Sequence, residues 1–504
     1  MQTHEKYNSV FLSTEPQFAG HLMIAGAESN VKLIGKSFWP SPEVEYTDIH
    51  GTLNDGKKAS LLDCVIQGKT RHRFDEDSQC ESAFFPNYIV VGESFIRSDE
   101  HVIRAVRYHF DNVSSLLRGY ETFRSLDLNI DETLRILEED HRHSQKLAEK
   151  HGWSIFPFKP EIGEHPRLLY FSGLWEIIAF QCGVGNIALT NRTSQTSGDA
   201  AGIGISNEVT INIEFTEPKR LNEALHALRV LHGLFELSLG HRQRYQWIEL
   251  ELDHPPKDTE HNLAQMARLY WSLCNERVNG ESKASLRDSL LAPDQRPDEF
   301  SQVAMRWIDS SETMRDPRER FATAFFSGYS IDRIVGAANM FDLLPESHVP
   351  RTRDIDDPLR EAVIQCRKIF TDLPASFGKQ SVLSALGRVG KASLRDKVMH
   401  LAHKVNAAAD GRFPNLLLPC HHAVLCRNHY VHGTEGAFDY QENFTEFAFI
   451  TDTLEFVFAI SDLIDLGWGL KRWLAHRSSM THAFGVYVIN YPENIRRLEA
   501  LVKK

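Results

Sequence analysis

Pro419-Cys-His-His-Ala-Val-Leu-Cys-Arg-Asn-His-Tyr-Val-His-Gly433 decides how the rest of the chain is read. Proline suits a first helical turn, and glycine suits the residue just past a helix end. The spacing predicts a helix over 419–432. Inside it, Arg427-Asn428-x-x-x-His432 sets a phosphate-binding cation, a polar orienting group and a general acid/base within six positions. The next helix is expected over 443–466, with Asn443-x-x-Glu446 as a capping box and Gly467 as the stop. Further helices are expected upstream at 298–309, 316–343, 356–371 and 379–408. After Met480 the pattern suggests a strand at 484–490, then a helix opening at Pro492.

Before residue 298 the character changes. Short runs rich in β-branched and large apolar residues fall at 9–13, 21–24, 31–34, 60–67 and 87–91, with a hairpin turn at Asp55-Gly56. The run 101–110 fits a strand or a helix equally poorly. A polar helix is expected over 131–151. Strands follow at 167–171 and 187–190. Val209–Phe215 alternates cleanly, then comes a helix over 218–239 and a strand over 245–252. Residues 260–278 read as helical, and 279–297 as a polar linker. The expected fold class is therefore α+β. A β-rich region, 1–297, precedes an all-α bundle, 298–504.

Composition narrows the function classes. The net charge of −12 excludes a generally basic nucleic-acid coat, so any RNA contact would need a local basic patch. Seven cysteines without regular spacing argue against a disulfide framework and for a reducing cytoplasm. The stretch 444–466 is apolar but carries Glu446, Asp452, Glu455, Asp462 and Asp465, too many carboxylates for a membrane span.

Several features bear on Arg427-Asn428-x-x-x-His432: the asparagine directly after the arginine, the helix bounds, and the helical surroundings. Together these resemble the HEPN superfamily, whose ribonuclease members carry Arg-Asn-x-x-x-His near the end of a core helix. Ile331-Asp-Arg-Ile-Val-Gly-Ala-Ala-Asn-Met-Phe-Asp-Leu-Leu-Pro345 is similar to the first core helix of ApeA-like HEPN domains. Phe18-Ala-Gly20, Ile49-His-Gly-Thr-Leu53 and the strand–helix pair 209–239 resemble the N-terminal domain found with them. The resemblance implies a metal-independent endoribonuclease of antiphage abortive infection, acting on tRNA or other structured RNA. It also implies Arg427, Asn428 and His432 as catalytic residues and a homodimer through the helical domain. A phage protein would be the trigger, sensed by the N-terminal domain. Without the resemblance, the same three residues also fit a salt bridge, a loop hydrogen bond and a helix cap. The competing classes are a non-enzymatic module binding RNA or a protein, and a ligand-binding protein whose helical half only dimerises.

The chemistry is self-consistent without a metal or other cofactor. RNA supplies its own nucleophile, the 2′-OH. An imidazole can take that proton or protonate the leaving 5′-oxygen. A guanidinium can hold two phosphate oxygens as charge builds. Helical geometry sets Asn428 and His432 about 40° apart, but Arg427 and His432 about 140° apart. A long arginine side chain can partly close that angle; the alternative, which the family resemblance implies, is that the motif is half of a site completed across a two-fold axis.

Two other features stand near it. His422, Cys426 and His429 fall at i, i+4 and i+7, but no Cys-x-x-Cys pair accompanies them, so no metal is expected. The segment 379–412 holds seven basic residues against Asp396 and Asp410. Lys391, Arg395, Lys397 and Lys404 are the candidate RNA-binding cations, with His429 and Tyr430 on the substrate side. A merely solvated helix face is the alternative.

Overall fold

The computed structural model describes residues 7–14, 18–35, 47–73, 79–117, 122–155, 161–196, 204–253, 264–274, 289–350, 355–476 and 480–503. Its first half is one antiparallel sheet with a closed end. Strands β1 (Tyr7–Ser13), β2 (Ala19–Ile24), β3 (Asn30–Gly35), β4 (Thr47–Leu53), β5 (Lys58–Arg73) and β6 (Gln79–Gly92) pair in the ring β6-β3-β2-β1-β4-β5, and β5 returns to β6. Closure leaves this barrel no free edge. Alternation dictates its filling: Phe11, Leu22, Val31, Leu33, Ile49, Leu53, Leu61 and Phe84 point inward as a separate core.

Beyond β6 the sheet opens. Strand β7 (Ile103–Phe110) is followed by the short helix α1 (Val113–Leu116), strand β8 (Phe123–Asp127) and helix α2 (Ile130–His151). Then come β9 (Arg167–Phe171), β10 (Glu176–Cys182), β11 (Gly185–Gln195) and β12 (Ile205–Lys219). Helix α3 (Leu221–Leu239) precedes β13 (Tyr245–Leu252) and β14 (Gln265–Trp271). From β6 the order runs β14-β13-β7-β12-β11-β10, while β8 and β9 form a separate pair. Pairing of the ambiguous 101–110 segment with both β12 and β13 settles it as a strand. Helix α3 lies on β7 and β12.

One expected helix is instead a strand. Within 260–278, Gln265–Trp271 is β14, with Ala267 and Leu269 inward and Leu250 opposite Ala267. Sheet pairing overrides local pattern there. Positions 260–263 and 275–278 of that segment and most of the 279–297 linker lie outside the described residues.

The second half is helical: α4 (Pro297–Asp309), α5 (Ser311–Phe325), α6 (Ile331–Asp342), α7 (Asp357–Thr371), α8 (Phe377–Leu386), α9 (Leu394–Ala408), α10 (Leu417–His432), α11 (Phe444–Asp465), α12 (Leu470–Leu474) and α13 (Ala483–Val502). The long helix expected over 316–343 is two, because Ser330 caps a new start, its hydroxyl accepting from Arg333 N at 3.1 Å. The one expected over 379–408 is also two, since Ser393 and Asp396 form a capping box for α9. The strand expected at 484–490 is helical. Phe484, Tyr487, Val488, Tyr491, Ile495 and Leu498 are buried at helical spacing, and Pro492 lies inside α13. Asn443 makes no side-chain cap; its amide donates to Asp439 O at 2.8 Å, and Glu446 turns to Arg497 at 2.9 Å.

Helix α11 is the bundle's axis. It packs on α5, α6, α9, α10 and α13 and is buried nearly all round. Its five carboxylates are each tied to another helix or its flanking turn. Glu446 meets Arg497, Asp452 accepts from Tyr329, and Glu455 takes a two-bond grip from Arg333 at 2.9 and 2.7 Å. Asp462 is gripped by Arg318 at 2.8 and 3.1 Å, and Asp465 by Lys404 at 2.7 Å. The residues that forbid a membrane span are thus the pins that set helix register. Among the described residues, no helix is long and apolar enough to cross a membrane.

The larger core runs unbroken from the open sheet through α3 and α4 into the bundle. At its seam, the buried His482 ring donates from Nε2 to Leu237 O at 3.0 Å, and its Nδ1 accepts from Phe484 N. The ring lies against Gly240, which ends α3 at φ 75°. Arg242 stacks over Phe326 at 4.4 Å and donates to Ala322 O.

Candidate active site on helix α10

Helix α10 starts two residues before Pro419 and ends at Gly433, whose φ of 67° lets its N–H return to His429 O. Its inner face buries Pro419, Cys420, His422, Ala423, Val424 and Cys426. The helix packs on α6, α9 and α11. The last turns carry Arg427, Asn428 and His432 away from that buried face.

These three side chains converge within one chain. Arg427 Nη1 donates to His432 Nε2 at 2.9 Å and to Asn428 Oδ1 at 3.2 Å. Its Nη2 donates to Asn339 Oδ1 on α6 at 3.3 Å. Of the two expected arrangements, the structure has the one in which arginine reaches histidine within a single chain. The angle of about 140° applies to the Cβ directions, and the long arginine side chain spans the difference. A guanidinium has no acceptor, so His432 Nε2 presents its lone pair to Arg427. Arg427 and Asn428 are half-buried, while His432 is exposed at the helix end. The group thus has a fixed root and an open mouth.

Asn339 is the member that sequence reading missed. It stands inside the quoted stretch 331–345, a half-buried amide among Gly336, Ala337, Ala338, Met340 and Phe341, all buried. An amide on that apolar surface was the available signal. Its position follows from Arg333, six residues earlier on α6. Arg333 is held by Glu455, by Ser327 O at 2.7 Å and by the Tyr329 ring 4.2 Å away. Burial pushes the Glu455 carboxyl up to about 7, against the opposing pull of Arg333.

The candidate RNA-binding cations are placed unevenly. Lys391 and Arg395 are exposed, and Arg395 helps burial lower the His421 imidazole. Lys397 pairs with Asp342 at 3.4 Å and Lys404 with Asp465 at 2.7 Å, so two of the four are occupied by carboxylates. His429 and Tyr430 lie beside Tyr440, with ring centroids 5.6 and 5.7 Å from it. His429 Nδ1 is bonded to Thr434 O at 2.7 Å. Burial lowers His422 and pushes the Cys426 thiol up to about 12, which disfavours a thiolate there. Among the described residues, no three His, Cys, Asp or Glu side chains are grouped to hold a metal.

A family model described as ApeA N-terminal domain 1 matches residues 8–155 and 185–307, more than half of the chain. A second, described as Apea-like HEPN, matches 335–471 and contains Asn339 and the whole of α10. No curated protein and no solved structure matches the chain. The match over 335–471 makes the helical bundle an HEPN-type domain. The chain belongs to the ApeA-like HEPN family. HEPN domains are generally ribonucleases, and they commonly bind RNA and dimerise.

Proposed function

We propose that the protein is a metal-independent endoribonuclease of antiphage abortive infection, acting in the cytoplasm on RNA, with tRNA as the substrate class. The observation that carries this reading is the convergence of Arg427, Asn428 and His432 at one open point of an HEPN-matching segment. His432 Nε2, with its lone pair directed at Arg427, takes the proton of the 2′-OH. The 2′-oxygen then bonds to phosphorus, the P–O5′ bond breaks, and O5′ leaves with a proton from water or a second imidazole. Arg427 turns from His432 to the phosphate oxygens and offsets their growing charge. Asn428 orients the pair. The products are a 2′,3′-cyclic phosphate and a 5′-hydroxyl, and DNA is spared.

The same reading assigns residues 1–297 to sensing a phage protein and 298–504 to cleavage by a homodimer. Lys391, Arg395, Lys397, Lys404, His429 and Tyr430 would guide the RNA. The seam at His482 and Arg242 supports coupling of the two halves.

Incubating purified protein with bulk tRNA and EDTA tests the reading. Cleavage by the wild type, lost in His432→Ala and Arg427→Ala with unchanged circular dichroism, is expected. Full activity in either variant rejects the assignment. RNA binding without cleavage, unaltered by His432→Ala, favours a non-enzymatic HEPN module.

A further inference from the structure

The reaction proposed above needs two proton carriers, because the 2′-OH must lose a proton and O5′ must gain one. The inference rests on that reading and names the second carrier. The entering and leaving oxygens stand roughly in line across phosphorus, so one ring cannot serve both at once. His432, whose Nε2 lone pair faces Arg427, serves the entering side. Helix α10 carries three more imidazoles, His421, His422 and His429. His422 is buried. His421 lies about 16 Å from His432 along the helix axis. His429 is only about 4.5 Å along the axis and about 60° round from His432. Side chains at that i, i+3 spacing are neighbours, with Cβ atoms about 5–6 Å apart.

The surroundings of His429 hold its ring in one tautomer. Gly433 turns the chain at φ 67°, which brings Thr434 O back to His429 Nδ1 at 2.7 Å. A carbonyl only accepts, so Nδ1 carries a hydrogen and donates it. Nε2 is then the nitrogen that gains and loses the second proton. Among the described residues no hydrogen bond engages Nε2, and the ring is half-buried rather than enclosed. Tyr430 and Tyr440 brace the ring, with centroids 5.0 and 5.6 Å away. Tyr440 is itself buried, and its hydroxyl accepts from Ala437 N at 3.2 Å. Burial raises the Tyr430 phenol and pushes that of Tyr440 up to about 12, so both are poorer proton donors than an imidazolium.

We infer that His429 is the general acid of the reaction, protonating O5′ from Nε2 as the P–O5′ bond breaks. The bond from O2′ to phosphorus forms while His432 Nε2 takes the 2′ proton. The electron pair of the P–O5′ bond goes to O5′, and the proton on His429 Nε2 joins it there. His432 ends protonated and His429 neutral, and exchange of one proton each with water resets both. Thr434 O holds Nδ1 throughout, so the ring stays aimed while its charge changes. A residue expected from the sequence only on the substrate side is thus a second catalytic imidazole, one turn from the first.

Single-turnover cleavage of two synthetic RNAs tests it. Both span the position that the wild type cuts in bulk tRNA. One has the natural bridging 5′-oxygen there, and the other a bridging 5′-sulfur. A thiol is a much stronger acid than an alcohol, so a thiolate leaves without a proton and needs no general acid. His429→Ala should cleave the oxygen substrate about 100-fold or more slower than wild type, and the sulfur substrate within about 5-fold of it. His432→Ala should be slow on both. His429→Asn keeps an N–H for Thr434 O but has no proton to give. It should be as slow as the alanine variant on oxygen and as fast on sulfur. An oxygen-substrate rate near wild type in His429→Asn or His429→Ala overturns the inference. So does an equal loss on both substrates in the two variants, which is what a merely structural ring predicts. A wild type that cuts no RNA refutes the ribonuclease reading itself, and the inference falls with it.

Discussion

Asn339 supplies the sharpest test of how the site is built. It touches no predicted substrate atom, and its amide oxygen holds Arg427 Nη2 at 3.3 Å. A hydrogen bond to a charged group contributes about 1.5–3 kcal/mol. This one is long, so about 1–2 kcal/mol is the better figure for its removal. At about 1.4 kcal/mol per tenfold, Asn339→Ala should slow cleavage about 5- to 30-fold. Asn339→Asp should do worse, although its carboxylate would bind Arg427 more tightly. That charge would compete with the RNA phosphate for the same guanidinium. The assay is single-turnover cleavage of tRNA at varied enzyme concentration, with thermal melts alongside. The alanine variant should lose the bond-breaking rate with little change in RNA affinity, whereas the aspartate variant should lose both. A merely structural asparagine would lower the melting temperature and leave the rate per folded molecule intact. Wild-type rates in the aspartate variant would refute the reasoning.

Other consequences follow from the pinned bundle. Arg333→Met leaves Glu455 buried without its cation and should destabilise by about 3–5 kcal/mol in urea at pH 8. Burial raises the folded Glu455 carboxyl to about 7, so its share of stability is present at low pH and fades as pH rises through 7. The variant's deficit should therefore shrink at pH 5, and a deficit independent of pH would refute the assignment. Gly240→Ala puts a Cβ at 2.7 Å from His482 Cδ2 at a φ of 75°, and should destabilise by about 2–4 kcal/mol in thermal or urea melts. Pairing it with His482→Ala should recover the steric part but not the strained φ. Reversing Lys391 and Arg395 to Glu should weaken RNA binding and flatten its salt dependence more than reversing Lys397 and Lys404, which carboxylates already neutralise. Filter binding across a salt series reads the difference.

Much of this protein is legible in the chain alone. Alternation at Val209–Phe215 and the bounds of α10 survive into the structure, because period and capping are local properties. The triad was legible as three residue types at one spacing. The bend at 326–330 and the helix over 484–490 were less so. Ser330 caps α6 in the first, and burial against α11 overrides β-like composition in the second.

What only the tertiary structure decided is where long side chains end. Helical angles keep Arg427 and His432 apart at Cβ, yet the guanidinium reaches the imidazole at 2.9 Å. Asn339 stands 88 positions away in sequence and meets Arg427 because Arg333 and Glu455 pin α6 to α11. Lys397 and Lys404 read as free cations until Asp342 and Asp465 come beside them. Residue type and spacing are written along the chain. Partnership depends on packing between distant segments, and a local pattern carries no information about that.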